Sequence, residues 1–109
     1  MRILGIDPGS KNTGYGVIVK EGNYLKQVVY GEIKPGRGFA LSGVLIEIYQ
    51  RLSEVIKREK PQAIVLENIF YGKNVRSLIK QAQVRGVAIF SGAAMDIPIF
   101  EYTPLEIKK

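Results

Sequence analysis

Apolar positions change their spacing along this chain, and each change marks a new element. Residues 2–7 (RILGID) form a nearly continuous apolar run, the pattern of a strand buried on both faces of a sheet. Residues 14–20 and 24–33 are rich in β-branched and aromatic side chains and are separated by Glu21-Gly22-Asn23, which predicts a hairpin. Pro35-Gly36-Arg37-Gly38 breaks that pattern. From there Leu41, Val44, Leu45, Ile48, Tyr49, Leu52, Val55 and Ile56 follow helical spacing, and Lys60-Pro61 should stop the helix. Residues 62–67 (QAIVLE) repeat the first run's design, a short apolar stretch ending in a carboxylate. A second helix is expected from an N-cap at Asn74 to about Met95, and a fifth strand over 97–102, held toward an edge by Pro98. Thr103-Pro104-Leu105-Glu106 then has the cap, first-turn proline and acid of another helix start.

The predicted order is β-β-β-α-β-α-β-α, with no repeat or linker. It implies one α/β domain over residues 1–109, a mixed five-stranded sheet flanked by helices. Because the sequence stops about one turn into a capped helix, the domain is expected to be truncated at its C-terminus.

Composition narrows the chemistry. The 109 residues contain no Cys and no His, which excludes disulfides, thiolate zinc sites, cysteine nucleophiles and imidazole catalysis. Any catalysis must use carboxylates, amines, hydroxyls or a bound metal. No stretch approaches the roughly 18 apolar residues of a membrane span, and nothing resembles a signal segment, so a cytoplasmic location without membrane partners is expected. The excess of 16 Lys and Arg over 10 Asp and Glu gives a net charge of +6, which suits a polyanionic partner through counterion release. Solubility alone explains such a charge equally well, so its placement must decide.

The strongest pairing is Asp7 with Glu67, each at the carboxyl end of a short apolar strand. If the intervening helix is a crossover, both acids lie at one sheet edge, where ligands of open α/β sheets bind. Two adjacent carboxylates repel unless a cation or proton joins them, and a hard, oxygen-seeking ion such as Mg2+ is the expected occupant. Taken singly, Asp7 capping its turn and Glu67 pairing with a lysine are the simpler roles. Between the first two strands, Asp7-Pro8-Gly9-Ser10 continuing to Thr13-Gly14 is a glycine-rich turn able to approach a phosphate, with Gly9, Ser10 and Thr13 as candidates. It is neither a P-loop nor a dinucleotide fingerprint, which need a helix directly after the loop. After Glu67 come Phe70, Tyr71, Lys73, Asn74 and Arg76, aromatic faces for bases and polar groups for phosphates, against the alternative of Phe70 in the core. Lys108 and Lys109 are either nucleic-acid contacts or a solvated end. The second helix carries more apolar surface than one packing face needs, and small residues such as Ala82 and Gly86 would admit a second copy, against the alternative of ordinary packing on sheet and first helix.

Taken together, Ile3-Leu4-Gly5-Ile6-Asp7-Pro8-Gly9-Ser10, Asn12-Thr13-Gly14-Tyr15-Gly16, Glu67-Asn68-Ile69-Phe70, Lys73-Asn74, Gln83-Val84-Arg85-Gly86 and Glu101-Tyr102-Thr103-Pro104 resemble the bacterial RuvC Holliday-junction resolvases. The resemblance spans the whole chain. It implies an RNase H-like fold and a homodimer that resolves four-way DNA junctions in recombination and repair by paired Mg2+-dependent phosphodiester hydrolysis, with the RuvA-RuvB branch-migration complex as partner. Two Mg2+ ions per complete site are expected, with Mn2+ as an alternative. Asp7 and Glu67 fall on two of the family's four catalytic acids, Phe70 on its base-stacking aromatic, and Lys108 in its basic stretch. The dimer contact is expected at Leu78, Ala82, Arg85, Gly86 and Ile89. Ala82 and Val84 stand where the family often has Gly and Ala, and the other two acids lie beyond Lys109, so residues 1–109 alone should cut weakly at best. The competing reading is a non-catalytic, dimeric junction-binding module. Actin-like ATPases share an Asp-Pro-Gly-Ser type of loop but need two large lobes, and an RNase H-like resolvase of RNA processing matches the first loop without the segment from Phe70 to Asn74.

Overall fold

The computed structural model describes residues 1–9, 11–36, 40–67 and 74–102. Its elements are β1 (Arg2–Pro8), β2 (Thr13–Glu21), β3 (Tyr24–Ile33), α1 (Leu41–Glu59), β4 (Ala63–Glu67), α2 (Val75–Ala93) and β5 (Ile99–Tyr102). They form one sheet in the order β3-β2-β1-β4-β5. β1, β2 and β3 run antiparallel as a meander, whereas β4 lies parallel to β1 and β5 parallel to β4.

Local chemistry accounts for the boundaries. Gly22, at φ 60°, supplies the left-handed turn between β2 and β3. α1 ends where Lys60 turns left-handed (φ 49°) and its N–H donates to the Ile56 carbonyl, with Pro61 beyond it. Asn74 caps α2 through its side chain, which accepts from the Arg76 N–H at 2.8 Å. α2 closes at Ala93, slightly before the expected Met95, because residues 94–96 turn and Asp96 takes φ 59°. β5 starts at Ile99 and not at residue 97: the Pro98 carbonyl accepts from the Ile64 N–H at 2.9 Å, but proline has no N–H of its own for the ladder. The helix start expected at Thr103 lies outside the described residues.

The core shows which face is which. Leu4, Ile6, Val17, Ile64 and Leu66 from the sheet pack with Ile48, Leu52, Val55 and Ile56 of α1 and with Val84 and Ala88 of α2. Gly92 lets α2 settle closely, since a Cβ there would lie 2.5 Å from Ile64 Cδ1 and 2.7 Å from Ile99 Cδ1. Both described helices therefore cover one sheet face. Strand side chains alternate, so Asp7, Val65 and Glu67 project from the other. At the far end of β1, Arg2 pairs with Glu59 at 2.7 Å and ties that strand to the end of α1. Among the described residues no helix is long and apolar enough to cross a membrane.

Candidate functional site

β1 and β4 pair from Ile3↔Ala63 to Ile6↔Leu66, so the next residues, Asp7 and Glu67, stand side by side where both strands end. Neighbouring strands are about 4.8 Å apart. Asp7 is exposed and Glu67 half-buried, and among the described residues no ion pair engages either. The lysine partner considered for Glu67 is thus not found among them. β5 extends the row: Glu67 pairs in register with Tyr102, which brings a phenol level with the two acids. Tyr102 escaped sequence reasoning, although the strand IFEY visibly ends on it.

The electrostatics of Tyr102 report on that edge. Its pKa is raised above the usual tyrosine value, first by burial and then by the negative fields of Glu67 and Asp7. The phenol is therefore a neutral hydroxyl at physiological pH. Since its folded-state pKa lies above the unfolded one, its contribution to stability is constant below about pH 10 and is lost as pH rises through the folded value. Replacing either Asp7 or Glu67 by its amide should lower the Tyr102 pKa. Difference absorbance titration against Tyr102→Phe checks this, and an unmoved titration would mean the carboxylates do not face the phenol.

Gly9 belongs to a tight turn, because a Cβ there would collide with the Asn12 carbonyl oxygen. Thr13 is fully buried, and its hydroxyl finds no hydrogen-bond partner among the described residues. Asn74 and Arg76 are exposed at the start of α2. Ser10, Phe70, Tyr71, Lys73 and Lys108 lie outside the described residues.

α2 faces two ways. Ala82 and Gly86 are exposed, Leu78 and Ile89 half-buried, and a Cβ at Gly86 would meet nothing within 4 Å. Beside them runs an apolar groove of about 440 Å3 between α1 and α2, lined mainly by Leu45, Ile46, Tyr49, Gly86, Val87 and Phe90. Tyr49 and Phe90 meet there with ring centroids 5.7 Å apart. Arg85, expected with that dimer contact, also reaches the sheet edge within the chain. Its side chain is only 14% exposed, its guanidinium pairs with Glu101 at 2.9 Å, and its Nε donates to the Glu67 carbonyl at 3.3 Å. One turn earlier, Gln81 donates to the Pro8 carbonyl at 3.3 Å.

An all-oxygen donor set at a strand edge, with two carboxylates able to hold a cation that keeps most of its water, fits a hard divalent ion such as Mg2+. Among the described residues no third Asp or Glu joins them as a metal-sized cluster.

Comparison with known proteins gives a consistent picture. The family model described as crossover junction endodeoxyribonuclease RuvC matches residues 3–109. A protein of that name from Geotalea uraniireducens is 48% identical over 109 residues, covering all of this chain and 64% of the relative. Another, from Syntrophomonas wolfei, is 41% identical over 109 residues, again all of this chain and 63% of the relative. The chain thus spans somewhat less than two thirds of their length. The structure of Thermus thermophilus RuvC in complex with a Holliday junction substrate superposes with a TM-score of 0.91 at 24% identity, over 99% of this chain and 66% of that one. That likeness establishes the RNase H-like fold expected from the sequence.

Proposed function

Because the chain belongs to the RuvC family of crossover junction endodeoxyribonucleases, we propose that it is the sheet-bearing part of a metal-dependent nuclease that resolves four-way DNA junctions. The observation that carries this reading is the register that sets Asp7 beside Glu67 at the carboxyl edge of parallel strands. Asp7 and Glu67 would hold Mg2+, or Mn2+ in its place, with two ions in each complete site. When bound, such ions supply Lewis acidity toward the phosphodiester and make water a nucleophile at neutral pH. The chain's own residues do the rest. Asp7, on the central strand, and Glu67, on its parallel neighbour, would together hold the metal at the sheet edge. Tyr102 keeps a neutral hydroxyl level with both acids and adds no negative charge against the incoming phosphate. Phe70 stacks on bases opened at the junction, and Tyr71, Lys73, Asn74, Arg76 and Lys108 contact the DNA, with Gly9 and Ser10 letting backbone approach a phosphate. Residues 1–109 act as one domain, in the cytoplasm, alongside a RuvA-RuvB-type branch-migration complex.

A two-fold dimer would set two such sites on opposed strands, which suits symmetric nicking of a symmetric substrate. The exposed apolar groove beside Gly86 supports a contact built on α2 and α1. Gly86→Leu should leave the folded monomer at least as stable, since glycine inside a helix costs about 1 kcal/mol and this site has room for a side chain. Overfilling the contact should weaken dimerisation by about tenfold or more. Sedimentation at graded concentration reads both, and undiminished self-association would move the contact elsewhere.

The described residues bring two acids together where the family resemblance implies four, and this favours a second reading for the 109-residue chain alone: a dimeric module that binds junctions without cutting. A gel experiment separates the two. Labelled four-way junction and matched linear duplex are each offered with EDTA and with Mg2+. Junction preference with symmetric nicks in Mg2+ supports the nuclease, and junction preference without nicks supports the binding module. Equal affinity for both DNAs would sink the junction reading.

A further inference from the structure

The buried residues of α2 are Val84, Ala88, Ser91, whose hydroxyl donates to the Val87 carbonyl within the helix, and Gly92, and near the acid edge the side chains of Gln81 and Arg85 reach the sheet backbone. Gln81 donates to the carbonyl of Pro8, the last residue of β1, and Arg85 to the carbonyl of Glu67, the last residue of β4. These are the two strands that carry the acids. Gln81 and Arg85 are four residues apart on one helix face, about 6 Å along the axis, which is near the separation of adjacent strands. Arg85 also pairs with Glu101 of β5 at 2.9 Å, so one guanidinium joins the ends of β4 and β5. Glu101 and Leu66 are in register on the face toward α2, whereas Glu67 and Tyr102 occupy the opposite face.

We propose that Gln81 and Arg85 are positioning residues for the metal site, a clamp that fixes the ends of β1 and β4 from beneath so that Asp7 and Glu67 keep one relative geometry on the sheet face above. This rests on the metal reading of the acid pair. Strand ends have lost half their ladder and fray most readily, and two carboxylates that repel would drive them apart in the absence of an ion. Hydrogen bonds to both terminal carbonyls oppose that opening. Groups of this kind, which touch no ion yet orient its ligands, typically change metal affinity by 10- to 100-fold when removed. Arginine is suited to the role because its planar fork can donate to a carbonyl and a carboxylate together, which a lysine ammonium does not reproduce in the same geometry.

The test is Mn2+ binding to the 109-residue chain, followed by electron paramagnetic resonance, with thermal melting of every variant in parallel. Asp7→Asn serves as the reference for loss of the site. Gln81→Leu and Arg85→Lys should each weaken Mn2+ binding about tenfold or more. Arg85→Lys should still melt close to the unaltered chain, because the charge facing Glu101 remains. Arg85→Met removes the contacts to Glu101 and to the Glu67 carbonyl and should weaken binding most, and if it fails to fold the other two variants still decide. Dependence on Asp7 with full affinity in both Gln81→Leu and Arg85→Lys overturns the clamp alone. A fall in affinity that appears only in variants already partly unfolded at the assay temperature assigns these residues to stability and also overturns it. Unchanged affinity in Asp7→Asn overturns the metal reading, and the clamp with it.

Discussion

Asp7→Asn should abolish nicking of a four-way junction in Mg2+ while leaving junction affinity in EDTA unchanged or slightly raised. The substitution removes one charge from the edge shared with Glu67 and Tyr102 and alters almost no volume. Asp7 is exposed and makes no ion pair among the described residues, so no buried partner is orphaned. Stabilisation of a developing phosphoryl charge by a bound metal is worth several kcal/mol, and about 4 kcal/mol corresponds to roughly a thousandfold in rate. On the proposed reading DNA binding draws on phosphate contacts from cations, and losing an anion near the duplex should not weaken it. The rate is followed under single-turnover conditions with protein in excess. Retained nicking would remove Asp7 from the reaction. Joint loss of nicking and binding would point to a damaged fold, which thermal unfolding followed by circular dichroism exposes independently.

The second large effect concerns stability. Gly92 is buried on the face of α2 that meets the sheet, where an added Cβ would lie 2.5 Å from Ile64 Cδ1 and 2.7 Å from Ile99 Cδ1. Ile64 is fully buried and belongs to the core, so it has no solvent to move into. Gly92→Val gains at most about 1 kcal/mol in helix propensity and sets against it an overpacking cost of about 3 kcal/mol, increased by two further methyl groups. A net loss of about 2–3 kcal/mol should lower the melting midpoint by roughly 10–20 °C for a domain of this size. The Gly92 carbonyl also accepts from the N–H groups of Met95 and Ile97, so a displaced helix end loosens the turn into β5 as well. Thermal unfolding by circular dichroism reads this directly. A midpoint equal to that of the unaltered chain would show that α2 and β5 separate more easily than their packing implies.

The two glycines of α2 show how far a sequence can be read. Gly86 and Gly92 look alike in a helical pattern, yet one opens on a groove and the other lies pressed against two isoleucines. What decides between them is which helix face meets the sheet, and that is set by residues distant in the chain. The elements themselves were legible, because their causes are local. Helical spacing from Leu41 to Ile56, the Asn74 cap, the Gly22 turn and the proline after Lys60 all act within a few residues of the feature they create. The placement of Asp7 and Glu67 at matching strand ends was legible for the same reason, together with the crossover rule that makes β1 and β4 parallel neighbours.

Three features were not legible. Tyr102 joins the acids only because β5 pairs with β4 in the register Glu67↔Tyr102. Thr13 follows a glycine-rich turn, and its burial where β1, β2 and β3 meet depends on strand pairing that the turn does not reveal. Arg85 meets Glu101 and the Glu67 carbonyl only because α2 packs where β4 and β5 end. The sequence by itself determined the order and type of the elements, the absence of thiol and imidazole chemistry, and the two acids at strand ends. Tertiary structure alone decided what stands beside those acids and what holds them, because strand register and the reach of a side chain from a packed helix are long-range outcomes that no local pattern encodes.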